Sequence, residues 1–558
     1  MSQQIKAILF DVGGTLRRLA PHDEAVQEIH VKKILALLAL DLPVPGFRRT
    51  LVEHAKAYRE WSKETMLELD APRLWTEWML PDFPSDKIAP LAEQLTEIWR
   101  TVRGTQVVIP GARETIQALF RRGYRLGLVS NTTSRVDVPA MLEQEGLSGC
   151  FETVVLSCVE GIRKPDPEIL KRAAARMGVQ PQNCAYIGNL PERDSAAAQK
   201  AGFSCSVVLR DPTQPVERYR DTGNDPDHCV DYLAQLLDIF PALGKRPAKT
   251  TEGPQFAISL STMWGVRKFD QLADMFLAAP RLGFSGVELN HQVSPAMLQG
   301  VDFASFPVTS IHEPCPAEIP ADTLKKQDIL ISSPDEERRR QGVASIRRSI
   351  DLAKQLGSKV IVIHSGMVQV DPSWEKRLVV LFREGRKDTN EYQEIQHDMQ
   401  TARLAMVPPC LAAVEKSLRE LLEYAAPLGI RLGLENRYHY FDIPSPDEMA
   451  HFLSLAGSDR LGFVYDTGHA HAMDQLGFYS QQDWLDRFAD RIILAHLHDA
   501  VGVDDHQTPG LGTLDFKGLA GYLPPSALRT MEVQRYHNYE QIKQGIHYLV
   551  DAGCVHTL

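Results

Sequence analysis

Short apolar runs alternate with longer amphipathic segments along residues 255–558. Apolar runs of strand length that are separated by segments of helical periodicity predict buried parallel strands joined by helices. Eight such units within about 300 residues predict a single (β/α)8 TIM barrel over residues 255–558. The predicted barrel strands are residues 256–260, 286–289, 308–312, 360–364, 432–435, 462–466, 492–496 and 529–532.

The first part of the chain has a different pattern. An apolar run at residues 5–11 is followed, over about 20–105, by helical periodicity with no convincing strand. This order predicts an α/β domain over residues 1–240, doubly wound and Rossmann-like, with a helical insert after its first strand. Residues 241–254 lack periodicity and are rich in Pro, Gly and Lys, which predicts a linker. The further strands of the domain are predicted at 124–130, 151–157, 183–188 and 205–209.

Carboxylate and imidazole side chains follow most of the apolar runs of the predicted barrel. The carboxyl ends of barrel strands meet at one mouth, so we expect these side chains to lie close together. Carboxylates combined with imidazoles suit Zn²⁺, Mn²⁺ or Mg²⁺. A single His at a strand end is more often a hydrogen-bonded structural residue, and the Asp504 segment also suits a plain polar loop. The candidate ligands are His312, His364, Glu435, Asp466, His469, His496, Asp504, His506 and Glu532.

An extra segment at about 367–408 follows His364 and does not fit a minimal barrel. Long insertions after a barrel strand lie over the active-site mouth, so we expect a lid. We expect its Arg and Lys residues either to meet an anionic substrate or to form a solvated helix face.

The composition is that of a globular protein with more than one domain. A chain of 558 residues is too long for one core, and its residues are 44% hydrophobic and 24% charged. The beginning of the chain lacks a basic segment followed by an apolar one, and no apolar run has membrane-spanning length, so neither a signal peptide nor a membrane span is expected. Eight scattered cysteines without a C-x-x-C spacing indicate reduced thiols and a cytoplasmic protein.

The charge balance bears on the partners. The net charge is −11, and residues 255–558 contain 39 acidic and 29 basic side chains. A surface that binds nucleic acid is normally basic. We therefore do not expect nucleic acid as a partner.

Four polar motifs stand in order along the N-terminal domain. Together they resemble the haloacid dehalogenase-like hydrolase superfamily, whose cap the insert at about 20–105 also resembles. The resemblance implies that Asn131 faces the substrate. The motifs are Asp11-Val-Gly-Gly-Thr15, Ser130-Asn131-Thr132, Lys164-Pro-Asp-Pro, and Ile187-Gly-Asn189 with the Asp194 that follows.

The same resemblance implies a division of roles. Asp11 is the expected nucleophile, which forms an aspartyl intermediate, and Thr15 orients it. Ser130 and Lys164 are expected to hold the transferred phosphoryl group and offset its charge. Asp11 and Asp194 are expected to help hold Mg²⁺.

Two positions depart from the phosphatases of this superfamily. Gly13 stands where they carry a second Asp as general acid and base, a group that typically accelerates the reaction 10²–10⁴-fold. Asn189 stands where they usually carry an Asp that ligates Mg²⁺, and Glu192 is a possible partial replacement. The sequence therefore leaves open a phosphatase, a phosphatase of reduced activity, and a domain that only binds a phosphorylated ligand or supports the barrel.

The barrel resembles the xylose isomerase-like superfamily, which contains sugar isomerases, epimerases, inosose dehydratases and endonuclease IV-like hydrolases. Four ligands recur across the superfamily, and they match Glu435, Asp466, His496 and Glu532. We prefer His496 to His498, because the order His-apolar-polar-Asp starts there.

The other five candidate ligands favour one branch of the superfamily. With the first four they match the nine-ligand, three-zinc pattern of the endonuclease IV-like hydrolases. Three nearby metal ions suit phosphoryl transfer, whereas an isomerase needs one divalent metal and two carboxylates that move a proton. The five are His312, His364, His469, Asp504 and His506.

Other polar residues near the predicted mouth match no ligand position. Glu288, Arg437 and His498 are expected to face the substrate, although Glu288 and His498 also suit positions behind the ligands. The remaining histidines, substrate-facing at best, are His291, His439 and His471.

Three functions are consistent with the sequence. The first is a Zn²⁺- or Mn²⁺-dependent phosphoesterase that cleaves a small phosphodiester, with Glu435 and Glu532 in its site and a partner domain that acts on or binds the resulting monoester. The second is a sugar or sugar-phosphate isomerase or epimerase beside a phosphatase domain. The third is an endonuclease for abasic DNA, which the acidic balance disfavours. The expected partner is a small phosphorylated metabolite or sugar; the sequence leaves the oligomeric state open.

Overall fold

The computed structural model describes residues 4–102, 104–211, 213–219, 223–243 and 255–558. The chain divides into two compact units, Met1–Arg246 and Pro247–Leu558. Most of the predicted linker, residues 244–254, lies outside the described residues. Within the described ranges, no helix combines the length and apolar character needed to cross a membrane.

The first unit contains a six-stranded parallel sheet with the order β5-β4-β1-β6-β7-β8. The doubly wound α/β fold predicted from the sequence is confirmed. Strand β8 was not predicted, because it has only three residues and two of them are exposed. The strands of the unit are β1 (Ala7–Phe10), β2 (Arg17–Pro21), β3 (Gly104–Val108), β4 (Arg125–Ser130), β5 (Phe151–Leu156), β6 (Cys184–Gly188), β7 (Cys205–Leu209) and β8 (His228–Val230).

The helical insert after β1 has a hydrophobic core of its own, which includes Trp75 and Leu95. The prediction of an insert without strands was wrong at its two ends. Strands β2 and β3 pair there in an antiparallel ribbon. Most of their residues are exposed, so they lack the apolar run that marks a buried strand. The helices of the insert are α1 (Glu24–Leu37), α2 (Val44–Thr65), α3 (Ala71–Leu74), α4 (Ser85–Ile88) and α5 (Ala92–Val102).

Helices α6–α11 complete the first unit, and α9 and α10 pack with the sheet in one hydrophobic core. Strand β1 lies between β4 and β6, with Phe10 beside Leu128 and Ile187. This register places Asp11 beside the ends of two neighbouring strands. The helices are α6 (Ala112–Arg121), α7 (Asp137–Gln144), α8 (Ser157–Glu160), α9 (Glu168–Arg176), α10 (Ala196–Ala201) and α11 (Leu236–Ile239).

The second unit contains a closed barrel of eight parallel strands in the order β10-β11-β12-β13-β14-β15-β18-β9. The predicted TIM barrel is confirmed, and each predicted strand overlaps an observed one. The barrel strands are β9 (Phe256–Ser261), β10 (Phe284–Leu289), β11 (Val308–His312), β12 (Val360–Ile363), β13 (Arg431–Glu435), β14 (Leu461–Asp466), β15 (Ile492–Leu497) and β18 (Leu528–Met531).

A short antiparallel hairpin, β16 (Asp499–Val501) and β17 (Asp504–Gln507), stands between the last two barrel strands. Helices join the strands around the barrel. They are α12 (Thr262–Gly265), α13 (Leu272–Arg281), α14 (Ala321–Lys326), α15 (Glu336–Leu356), α16 (Ser373–Arg383), α17 (Asn390–Ala425), α18 (Pro446–Leu453), α19 (Thr467–Gln475), α20 (Gln481–Phe488), α21 (Phe516–Ala520) and α22 (Tyr539–Asp551).

The insertion after β12 consists of helix α16 and the first half of α17. Leu378, Leu381 and Tyr392 from these helices pack with residues of the loop after β13, of α19 and of the β16–β17 hairpin. The insertion is therefore a folded part of the barrel unit that packs on elements at the carboxyl ends of its strands.

Candidate metal centre and N-terminal charged site

The carboxyl ends of the barrel strands bring the predicted ligands together. His312, Glu435 and Asp466 end their strands, and His496 lies near the end of β15. His364 and Glu532 directly follow β12 and β18. In the register of the barrel Asp466 is the neighbour of His496. The fold thus gathers eight of the nine predicted ligands at one mouth.

Three groups of side chains have ligand atoms within 4.8 Å of one another. Glu435 belongs to the first and the second group, so these two share a carboxylate. A fourth combination, Glu288 with His312, His496 and Glu532, overlaps them. The three groups are His312, His364 and Glu435; Glu435, Asp466, His496 and Glu532; and His469, Asp505 and His506.

In the first group, Nε2 of His312 lies 2.5 Å from Nε2 of His364. His364 Nε2 also lies 3.2 Å from Oε2 of Glu435. Burial and the neighbouring His364 lower the pKa of His312, so its ring is neutral. Burial and Arg437 lower the pKa of His364 to about 3. Two neutral imidazoles beside a carboxylate are suited to ligate a divalent cation.

The second group surrounds His496, which is fully buried. Its Nδ1 lies 2.8 Å from Glu435 Oε1 and 3.1 Å from Glu532 Oε2. The same nitrogen is 3.5 Å from Asp466 Oδ2, and Nε2 on the other side is 3.0 Å from Glu288 Oε1. Four buried carboxylates therefore surround one imidazole.

The third group corrects one predicted ligand. Asp504 is exposed and forms an ion pair of 2.5 Å with Arg383, outside the cluster. Its neighbour Asp505 lies 3.7 Å from His469 Nε2 and 3.5 Å from His506 Nε2. In a regular strand residues two apart share a face, but His506 has a left-handed backbone with φ of 54°. The expected placement of Asp504 and His506 on the same face of the strand therefore does not hold at His506.

A buried carboxylate behind the third group fixes the hairpin and the loop after it. Asp499 accepts backbone N–H groups from Gly510, Gly512 and Leu514 at 2.9–3.0 Å. Gly510 has φ of 89°, a conformation that favours glycine. Asp499 therefore fixes the loop that follows the strand carrying Asp505 and His506.

Of the two positions that the sequence left open for His498, the structure shows the one behind the ligands, whereas Glu288 lies beside His496 within one of the ligand combinations. His498 is fully buried, with Nε2 at 2.9 Å from Asp466 Oδ1, and its Nδ1 accepts the N–H of His506. Both ring nitrogens are engaged, so His498 positions Asp466. Glu288 is also buried, and its Oε2 accepts a hydrogen bond of 2.6 Å from Ser310.

The surroundings separate the pKa values of two carboxyls in the centre. Burial opposes ionisation of Glu435, but the charge of Arg437 outweighs burial and holds the pKa of Glu435 well below the usual range. Burial raises the pKa of Glu532 to about 7, against the attraction of His496. The two groups therefore differ in their tendency to hold a proton.

The residues of the centre fit divalent cations. Glu288 Oε1, His312 Nδ1 and His496 Nε2 are buried and have no well-aligned hydrogen-bond partner among the described residues. Buried polar atoms are normally paired, and a bound ion is one explanation of an unpaired one. Clustered carboxylates also need positive charge to offset their repulsion and desolvation. His, Asp and Glu are the donor types that Zn²⁺ and Mn²⁺ accept.

A cavity beside the first group is lined by polar as well as apolar residues. Arg437 lies on its wall and pairs with both Glu435 and Asp442. Lys325 lies on the same wall. Burial by itself would raise the pKa of Asp442, but Lys325 and, after it, Arg437 outweigh burial and lower this pKa. Glu313 completes this polar set, and burial raises its pKa to about 7.

Three arginines of the insertion pair with acidic groups of the barrel unit. Arg377 and Arg386 contact Glu391, and Arg383 contacts Asp504. Carboxylates of the barrel unit therefore hold these three arginines. The other histidines near the mouth lie outside the ligand groups, with His439 beside Glu375, His471 beside Gln481, and His291 near His312 and His364.

The N-terminal site brings Asp11, Lys164 and Asp194 together, and all three are buried. Lys164 Nζ lies 2.7 Å from Asp11 Oδ1 and 3.0 Å from Asp194 Oδ1. It also donates to the hydroxyl of Tyr186 at 2.5 Å. Burial, Asp11 and Asp194 hold the pKa of Tyr186 well above its usual value, so this hydroxyl stays protonated.

Arg193 enters the same site. Its Nη2 lies 2.6 Å from Asp11 Oδ2, and it also contacts Asn189 Oδ1 at 2.9 Å and Asp194 Oδ2 at 2.8 Å. Gly14 allows the close approach of Asn189, because a Cβ there would lie 2.2 Å from its amide nitrogen. Arg193 therefore bridges the oxygen atoms that a divalent ion would use.

The other predicted residues of this site have different surroundings. Ser130 ends β4 and is buried, and the hydroxyl of Thr15 is buried without a hydrogen-bond partner among the described residues. Asn131 corrects a prediction: its amide exchanges two hydrogen bonds of 2.9 Å with the backbone of Lys164 and so fixes that loop. Glu192 is exposed.

Sequence reasoning missed several of these residues. Arg193 stands next to Asp194 in the sequence. Asn189 occupies a position where a carboxylate is usual, and this difference was a signal that another charged residue of the site also differs. Asp505 is adjacent to a predicted ligand, but only the backbone conformation separates it from Asp504. Tyr186 gave no local signal, because its contacts are with Val129 and Lys164 on other segments, and the contacts of Asp499 depend on the conformation of the loop after the hairpin.

Two family models match the chain. The model of haloacid dehalogenase-like hydrolases matches residues 5–202, and that of xylose isomerase-like TIM barrels matches residues 276–550. The glyceraldehyde 3-phosphate phosphatase of Methanopyrus kandleri is 29% identical over 245 residues, 43% of this chain and 99% of that protein. The phosphoglycolate phosphatase of Salmonella typhimurium is 28% identical over 251 residues, 43% of this chain and 94% of that protein. A solved D-tagatose 3-epimerase-like protein is 20% identical with a TM-score of 0.37, and the match covers 53% of this chain and 96% of that one.

Proposed function

A haloacid dehalogenase-like hydrolase domain and a xylose isomerase-like TIM barrel make up this chain, and we propose that the barrel is a metal-dependent phosphoesterase. Its substrate is a small phosphodiester or phosphoester. The N-terminal domain acts on or binds the phosphomonoester that results. The two domains thus handle related phosphorylated metabolites.

The observation that carries this proposal is the division of the ligands into three groups, two of which share Glu435. A bridging carboxylate is suited to hold two cations close together. Metal ions bound there would supply a hydroxide at neutral pH and offset the charge of the transferred phosphoryl group. An isomerase needs only the second group, so His312, His364 and the third group would have no role in it.

The cavity beside the first group supplies the groups that bind the substrate and protonate the leaving group. Lys325 places a positive charge on its wall, where it binds the anionic ester, and Arg437, which is paired with Glu435 and Asp442, holds the neighbouring carboxylates in place. Glu313 on the same wall has a pKa of about 7, so it keeps a proton near neutral pH. A general acid with a pKa near the working pH is well suited to protonate a leaving alkoxide.

In the N-terminal domain Asp11 is the proposed nucleophile. The phosphatases named among the relatives support a small phosphorylated metabolite as its ligand. Gly13 leaves no side chain that protonates the leaving group from the usual position. We therefore propose slow turnover or binding alone for this domain.

A second function is favoured by the carboxyls of the second group. One oxygen of Glu435 and one oxygen of Glu532 both lie close to Nδ1 of His496, at 2.8 Å and 3.1 Å, and the pKa values of the two carboxyls are pushed apart. Such a pair suits an acid and a base that move a proton in a sugar isomerase or epimerase. Solvent deuterium that enters a carbon of the substrate would support this alternative.

The proposal is tested on the full chain with Asp11→Asn, which removes the N-terminal nucleophile. Bis(p-nitrophenyl) phosphate and a panel of small phosphodiesters are assayed with Zn²⁺ and with Mn²⁺. We expect His312→Ala and His364→Ala each to lower hydrolysis by at least about 100-fold, because outer-shell changes alone cost 10–100-fold. His291→Ala is the matched control, because His291 lies beside both rings but belongs to none of the ligand groups.

Two outcomes would contradict the proposal. Deuterium exchange into a sugar without hydrolysis of any ester would favour the isomerase. Cleavage of an abasic duplex in preference to every small ester would favour the endonuclease, in spite of the acidic charge of residues 255–558.

A further inference from the structure

In the N-terminal site, an arginine side chain of the protein occupies the position where a metal ion would bind. A single nitrogen, Nη2 of Arg193, lies 2.6–2.9 Å from oxygens of three other residues. We infer that Arg193 replaces the divalent metal of this site and that the N-terminal domain binds a phosphomonoester without Mg²⁺. The three oxygens belong to Asp11, Asn189 and Asp194.

The geometry does not fit Mg²⁺ beside this arginine. Mg²⁺ requires near-octahedral oxygen ligands at 2.0–2.1 Å and is bound mainly by carboxylates. The oxygens of Asp11 and Asp194 that face the site already bond to the guanidinium. A metal ion and the guanidinium therefore compete for the same atoms, and only one of them can occupy the position.

The charges in the site balance without a metal. Two buried carboxylates, Asp11 and Asp194, face two cations, Lys164 and Arg193. An added divalent cation would leave a surplus of positive charge in a buried place, which is unfavourable. Asn189 contributes an amide where a third carboxylate would attract a metal.

Local structure holds Arg193 in place. The residue lies in the helical turn Pro191–Ser195, and its Nε donates to Asp194 Oδ1 at 3.0 Å. Asp194 Oδ2 in turn accepts the backbone N–H groups of Asn189 and Leu190. Burial opposes the charge of Arg193, but Asp11 and Asp194 outweigh it and raise its pKa further. Arg193 is thus always positively charged, and these hydrogen bonds fix its position.

The same arrangement leaves donors for an anionic ligand. Nη1 of Arg193 takes part in none of these bonds, and the Thr15 hydroxyl is buried without a partner among the described residues. A charged N–H group of a guanidinium and a hydroxyl are both donors that a phosphoryl oxygen accepts. The phosphoryl ligand is taken from the proposed function, whereas the exclusion of metal holds whether or not the domain turns over an ester.

The test counts Mn²⁺ ions per full chain by electron paramagnetic resonance. The wild-type chain and the Asp11→Asn variant are expected to bind the same number of ions, because Asp11 holds no metal. A loss of one ion per chain in Asp11→Asn would overturn the inference. If ester hydrolysis is lost while the number of bound Mn²⁺ ions stays the same, the result bears on the proposed function alone and leaves the inference about Arg193 intact.

A second variant makes the converse test. The double substitution Asn189→Asp/Arg193→Ala restores a carboxylate and removes the guanidinium, so we expect one additional Mn²⁺ per chain. Adding Asp11→Asn to it should remove that ion again. Arg176→Ala, at an exposed arginine paired with Glu160, is the matched control and should leave the count unchanged. Failure of the double variant to gain an ion would overturn the inference, provided that its circular dichroism matches that of the wild type.

Discussion

Two adjacent aspartates at the edge of the metal centre have opposite surroundings. Asp504 points to Arg383 in an exposed ion pair, whereas Asp505 lies beside His469 and His506. The sequence spacing favours Asp504, and the left-handed backbone of His506 reverses the assignment. A single dihedral angle therefore decides which carboxylate belongs to the third group.

We expect Asp505→Asn to weaken the binding of one metal ion by at least about 10–100-fold, because it removes a charged member of the third group. Asp504→Asn should leave metal binding intact, because an exposed ion pair contributes only about 0–1 kcal/mol. Calorimetric titration of the chelator-treated chain with Zn²⁺ compares the two. The opposite order of effects would restore Asp504 as the ligand.

Glu313 gives a prediction about pH. Its pKa in the folded chain is about 7, above the usual 4.5 of an unfolded Glu. The folded state therefore binds more protons, and the stability that Glu313 contributes below pH 4.5 is lost as the pH rises through 7. This shift corresponds to about 3 kcal/mol at 1.36 kcal/mol per pKa unit. Glu313→Gln removes a titrating group and keeps the acceptor for the N–H of His364.

The measurement is denaturant unfolding of the metal-free chain at pH 5 and pH 8. We expect the free energy of unfolding of the wild type to fall relative to Glu313→Gln by a few kcal/mol between these values. A difference that does not change with pH would show that Glu313 ionises normally.

The sequence predicted the ligands that end strands but not the residues that support them. His312 and Asp466 follow apolar runs, so their place at the mouth follows from the fold class. Arg193 contacts Asp11 from a segment far away in the chain, and Asp499 holds the loop at residues 510–514. Such contacts depend on the packing of whole elements, which a local pattern does not contain.

At the scale of elements, burial decides which strands the sequence reveals. The barrel strands are almost wholly buried and appear as continuous apolar runs. Strands β2, β3 and β8 are short and largely exposed, and none of them was predicted. A strand that pairs at the edge of a sheet needs only backbone hydrogen bonds. Its side chains therefore need not show the apolar run that reveals a buried strand.

The insertion after β12 was predicted from its length alone, and its packing now gives it a structural role. Leu381 of α16 is fully buried in the cluster with Met473 and Leu476 of the α19 segment and with Val503 of the hairpin loop. Helix α19 begins at Thr467 and carries His469, and the hairpin carries Asp505. The cluster therefore connects the insertion to both elements of the third ligand group.

We expect Leu381→Ala to destabilise the barrel unit by about 2–5 kcal/mol, the usual cost of this change in a core. Amide hydrogen exchange should increase in α19 and in the hairpin as well as in α16. Val380→Ala is the control, because Val380 is 42% exposed and such surface changes cost within about 0.5 kcal/mol. Equal effects of the two substitutions would mean that the cluster does not support these elements.

At the scale of the whole molecule, each unit has its own charged site. The N-terminal site balances two carboxylates with cations of the chain, whereas the barrel centre gathers carboxylates around His496 with few cations nearby. Metal dependence should therefore belong to the barrel alone. The sequence predicted both domains, but the difference between their sites emerged only from the contacts of Arg193.

The metal content of the full chain tests the central claim most directly. The chain is saturated with Zn²⁺, freed of excess ions by gel filtration, and analysed by inductively coupled plasma mass spectrometry. We predict about three ions per chain, one for each ligand group, and two in the His312→Ala/His364→Ala chain. One ion per wild-type chain would contradict a multinuclear centre and, with it, the proposed phosphoesterase.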